Sequence, residues 1–101
     1  MATATYHLTI GRMIDTVFVL EIGGKYADED ELEGTLEKVF IANDSTRIRV
    51  ELGGAEQQPW SLEVTIEADG KEFVTVPKII KGKIGKGGGA WFDRTCPLEE
   101  A

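Results

Sequence analysis

One cysteine, one histidine and 3 prolines among 101 residues set the first limits on this chain. A single thiol, Cys96, cannot close a disulfide within the chain, so packing alone must hold the fold, and a reducing compartment, the cytoplasm, is the expectation. Nucleophilic catalysis needs a base within hydrogen-bond reach of the nucleophile. Here the only histidine is His7 and the only serines are Ser45 and Ser61, neither in a Gly-x-Ser-x-Gly setting, so no triad can be assembled and no enzyme is expected. No apolar run approaches the roughly 18 residues of a membrane span. The opening Met1-Ala2-Thr3-Ala4-Thr5 has neither the basic start nor the apolar stretch of an export signal, so a soluble, unexported protein is expected.

What is present is a 42% apolar, 29% charged chain, enough to fold as one small domain over residues 1–101 but with little room for an enclosed site. The charge is uneven. Residues 1–70 carry 14 acids and 5 bases, net −9, whereas residues 71–101 carry 4 acids and 6 bases, net +2. An acidic surface repels phosphate and anionic membrane, which leaves nucleic acid to the C-terminal lysines alone and makes a membrane partner unexpected.

The apolar pattern has a period of two. Trp60, Leu62, Val64 and Ile66 alternate with Ser61, Glu63, Thr65 and Glu67, as a half-buried strand requires. Ala68-Asp69-Gly70 turns the chain into a second run, Glu72 to Val76. A three-residue loop with Gly70 left-handed sets Glu67 against Lys71 and Val64 against Val74, and is expected over a two-residue loop that would oppose Glu67 to Glu72. Arg47 to Leu52 alternates too, and Leu36 to Ala42 is its expected hairpin partner across Asn43-Asp44-Ser45-Thr46, with Ile41 against Ile48 and Val39 against Val50. Tyr6-Leu8-Ile10 alternates, and Thr16 to Ile22 is nearly continuous, as in a strand covered on both faces. Asp28 as N-cap with Glu31 three residues on predicts one short helix reaching Leu36. The sum is an all-β fold, a small antiparallel sandwich or barrel of about six to eight strands. The Gly/Lys-rich segment 78–101 reads as largely irregular, with a possible strand from Lys78 to Ile84.

Two clusters could carry function. Asp28, Glu29, Asp30, Glu31, Glu33 and Glu37 offer oxygens to a hard cation, but a helix-loop-helix calcium loop starting at Asp28 would need a polar ligand at Leu32, a glycine at Glu33 and a glutamate at Val39. A solvated segment without metal is therefore expected, and no cofactor. The second cluster is Lys78, Ile80, Lys81, Lys83, Ile84 and Lys86 with Trp91 and Phe92, a basic, apolar and aromatic set in a glycine-rich stretch. As a protein-docking or homo-oligomerising arm it would anchor through Ile80, Ile84, Trp91 and Phe92. As a single-stranded nucleic-acid binder using 78–94 it would track phosphates with the lysines and stack bases on the aromatics. Ile84-Gly85-Lys86-Gly87-Gly88 resembles the Gly-x-x-Gly loop of KH domains, which implies the nucleic-acid alternative, although only 13 residues follow Gly88 to supply the rest of such a domain. Leu8-Thr9-Ile10-Gly11-Arg12 is similar to the start of forkhead-associated phosphopeptide-binding domains, but the Ser-x-x-His and Asn-Gly elements of that family are missing: His7 precedes the match and Asn43 is followed by Asp44. The first reading is a non-enzymatic interaction or assembly module.

Overall fold

A computed structural model describes residues 2–101 as eight antiparallel strands, with no helix among them. The strands are β1 (Ala2–Ile10), β2 (Ile14–Ile22), β3 (Lys25–Tyr26), β4 (Glu33–Val39), β5 (Ser45–Gly54), β6 (Pro59–Ala68), β7 (Lys71–Lys83) and β8 (Gly89–Glu100). They form one sheet in the order β3-β2-β5-β8-β7-β6-β1-β4, which curls into a nearly closed barrel around a single core. Its two outer strands approach on the far side, where the Phe40 N–H donates to the Gly23 carbonyl at 2.8 Å. Among the described residues no helix is long and apolar enough to cross a membrane.

Alternation places the core. Tyr6 and Leu8 of β1 pair with Val64 and Leu62 of β6, and all four side chains are buried, while Thr5, His7 and Glu63 face out. Thr46, Ile48, Val50 and Leu52 of β5 do the same against β8, with Val50 opposite Phe92.

Six local expectations need correction. The β6–β7 loop is the two-residue Asp69-Gly70, both at positive φ, so Ala68 pairs with Lys71 and Glu67 with Glu72. Two exposed carboxylates repel weakly in water, and the match of this turn to strand twist outweighs them. The expected apolar register is instead lost at a bulge between Glu63 and Thr65, opposite which β7 threads Thr75 to Lys78. The proposed hairpin of 36–42 with 47–52 does not form. Asn43 and Asp44 do make a tight turn at positive φ, but β4 leaves it to pair with β1, while β5 is flanked by β2 and β8. Nor is there a helix after Asp28: the Leu32 carbonyl accepts the Leu8 N–H at 2.7 Å, and β1 takes the following residues as a strand.

The run Thr16 to Ile22 is not covered on both faces. A bulge between Val17 and Val19 lets Val17 and Leu20 both point inward and turns Phe18 out, 64% exposed. Residues 78–101, expected to be mostly irregular, supply the end of β7 and all of β8, which lies in the middle of the sheet.

Candidate functional site

The sheet is not evenly knit. β8 pairs with β5 from Gly53↔Gly89 to Ser45↔Pro97, and β7 pairs with β6 from Pro59↔Lys83 to Glu63↔Ile79. Between themselves β7 and β8 pair only at Phe73↔Glu100, Val74↔Glu99 and Thr75↔Leu98. They meet again at the hairpin tip, where the Gly85 N–H donates to the Gly89 carbonyl at 2.9 Å. In between, residues 78–83 and 90–97 face each other as two strand edges with no pairing across the gap.

The cause is local. Pro77 has no N–H to offer a ladder, and the buried Thr75 hydroxyl donates to the Pro77 carbonyl at 2.8 Å, so the chain bulges instead of running straight. The resulting seam opens a cleft of about 460 Å³ lined by Pro77, Ile80 and Lys81 on one side and Phe92, Arg94 and Cys96 on the other. Its floor is apolar. Ile80 is 2% exposed, and Phe92 meets the buried Trp60 edge to face, with ring centroids 6.2 Å apart. Lys81 and Arg94 bring positive charge to the cleft lining beside the exposed Val76 and Ile79, with Lys78 and Lys83 also exposed along β7, and the Arg94 guanidinium lies 5.5 Å from the Phe92 ring centroid.

The residues expected to act together are divided by the strand pleat. Ile80 and Ile84 are core, Ile84 fully so, and cannot anchor a partner in this fold. Phe92 points inward, half-buried against Trp60, whereas Trp91 points to the opposite face and is 79% exposed. Lys86 is exposed in the turn between β7 and β8, a setting unlike the two-helix context of the KH loop. Arg94, Pro77 and Cys96 were missed. The alternation of Ala90, Phe92, Cys96 and Leu98 against Trp91, Asp93 and Thr95 was the available signal for β8.

Trp91 belongs to a second surface, the outer face of β2, β5 and β8. With Phe18 and Glu51 it borders a shallow depression of about 340 Å³. The charges there are largely spent on each other. Arg47 holds Asp93 through two hydrogen bonds of 2.9 and 2.8 Å, and Arg49 bridges Glu51 at 3.2 Å and the buried Glu21 at 3.6 Å. The Arg47 guanidinium, chiefly by hydrogen bonding, holds the Asp93 carboxyl below its ordinary range.

The reactive singletons lie apart. His7 sits on the outer face of β1, 3.8 Å from Glu33. Cys96 is buried in the seam wall, and burial pushes its thiol up despite Arg94. A thiol of that kind is a poor nucleophile. The acidic residues Asp28 to Glu31 are all exposed, and among the described residues no group of three His, Cys, Asp or Glu side chains is disposed to hold a metal. Set against family models, curated proteins and solved structures, the chain matches none.

Proposed function

We propose that the chain is a non-enzymatic docking module that takes an extended segment of a protein partner along the β7–β8 seam. The observation that carries this reading is the pair of facing, unpaired strand edges in the middle of an otherwise continuous sheet. A strand edge offers a row of N–H and C=O groups, and an added strand satisfies them while its alternate side chains enter a cleft. The exposed Ile79 and the half-buried Phe92 would take one face of the incoming segment, and Lys81 and Arg94, with Lys78 exposed nearby on β7, would select for acidic residues beside it.

Single-stranded nucleic acid would use the same lysines, but its stacking platform is split. Phe92 faces the core, and Trp91 stands on the opposite face, where Arg47 and Arg49 are already paired with Asp93 and Glu51.

Selection of random eight-residue peptides against the full chain tests the reading. The expected winners alternate apolar and acidic residues, and they slow amide exchange in 78–83 and 90–97. Lys78→Glu combined with Lys81→Glu should weaken them at least tenfold, while Trp91→Ala changes affinity less than twofold. Loss of binding on Trp91→Ala alone would move the site to the outer face and refute the seam. Tight oligonucleotide binding with a steep salt dependence would refute it in favour of nucleic acid.

A further inference from the structure

Resting on that reading, we infer that the β7 wall of the seam pairs with the β4 edge of a second copy of this chain, so that copies join head to tail. β4 ends the strand order and pairs only with β1, leaving its other edge open along Glu33 to Glu37. That edge is acidic. Glu33 and Glu37 are exposed on it against the single exposed Lys38, and the exposed Asp28 to Glu31 lead into it. β7 beside the seam is basic, with Lys78, Lys81 and Lys83 exposed along it, and Arg94 lines the opposite wall. Charge complementarity therefore pairs the two open edges with each other and sets each against its own kind.

The lysines and Pro77 on β7 are the residue types that keep an open edge from pairing indiscriminately. Two basic seams repel, which excludes a symmetric seam-to-seam dimer, whereas an acidic strand neutralises the guard. Length agrees as well. The five residues 33–37 extend about 17 Å and the six residues 78–83 about 20 Å at roughly 3.3 Å per residue. Within one molecule the two edges cannot meet, because the β7–β8 junction lies mid-order and β4 at its end, on opposite sides of the barrel. A contact between different surfaces of identical subunits propagates, giving a ring if the rotation closes and a filament if it does not.

The test is solution mass against concentration for the full chain and three charge variants. The native chain should exceed one 11.1 kDa copy progressively as concentration rises, without a plateau at two, and salt should reverse the growth. A seam-reversed chain, Lys78→Glu with Lys81→Glu, should be monomeric, and so should an edge-reversed chain, Glu33→Lys with Glu37→Lys. Placing all four exchanges in one chain should restore growth. General charge repulsion forecasts the opposite for the edge-reversed chain, which is less acidic than the native net of −7 and should then associate more. All four sites are exposed, so folding is checked by unchanged melting. A native chain that stays monomeric, a dimer indifferent to edge reversal, or failure of the fourfold variant would each overturn head-to-tail assembly. Selected peptides still protecting the seam amides in that event would leave the docking reading standing, and their absence would remove it too.

Discussion

Gly82→Ala tests how tightly Trp60 packs on β7 beneath the seam. An alanine methyl at Gly82 would fall 2.9 Å from Trp60 Nε1 and 3.0 Å from both Cε2 and Cζ2. Relaxed contacts to such atoms lie near 3.5–4.0 Å, so the indole must retreat by about half an ångström or more. It has little room: Trp60 is 5% exposed and Phe92 packs edge to face against its ring. Overpacking of this kind costs about 1–3 kcal/mol, whereas Gly→Ala at an unstrained position gains about 0.4–1 kcal/mol by restricting the unfolded chain. The net expectation is a loss of about 1–2 kcal/mol. In a Trp60→Leu background the clash is gone, and the same exchange should be neutral or stabilising. Urea unfolding in a Trp91→Phe host, where Trp60 is the sole indole, reads both stability and ring environment. With a slope of about 1–2 kcal/mol per molar, the midpoint should fall by about 1 M. A midpoint that rises on Gly82→Ala with Trp60 present, or a double-mutant coupling near zero, would refute the close packing of Trp60 on β7.

Two further outcomes follow from the geometry. Gly70→Ala meets no atom within 4 Å but must hold φ near +74°, so its cost, about 1 kcal/mol, is purely conformational, and an unchanged thermal midpoint would contradict the two-residue turn. The lowered Asp93 pKa means that its bond to Arg47 stabilises the fold fully above the ordinary carboxylate range and is lost as pH falls through the depressed value. Acid titration should therefore unfold Asp93→Asn with a shallower pH dependence than the native chain below about pH 4, and parallel curves would remove this pair from the acid response.

The alternation in 60–67, 47–52 and 6–10 was readable because each strand has one buried face, so burial follows identity with period two. Pairing was harder. Asn43-Asp44 turns the chain whether the flanking strands join each other or diverge to other partners, and only the rest of the barrel decides which. The bulge at Phe18 counterfeits a doubly covered strand, because one inserted residue makes two inward positions look continuous with an outward one. The lysines of the candidate site were visible as a cluster. Their relation to Arg94 and to the acidic edge of β4 was not, since the seam is a gap in pairing, and a gap leaves no residue pattern of its own.

The position of β8 bears on how the molecule comes into being. A ribosome delivers it after every other strand, yet it must enter between β5 and β7, pairing Ser45 with Pro97 across the length of half the chain. Until then β5 has β2 alone as its neighbour, and Val50 lacks the Phe92 that will lie beside it. Such long-range closure is slow, on the order of milliseconds to seconds, and the waiting chain presents an open apolar edge to whatever surrounds it. One wall of the seam, with Phe92, Arg94 and Cys96, arrives with that same strand. If copies join head to tail, a copy lacking β8 would carry the acidic edge but only one wall of the slot that receives it, and would end an assembly without extending one.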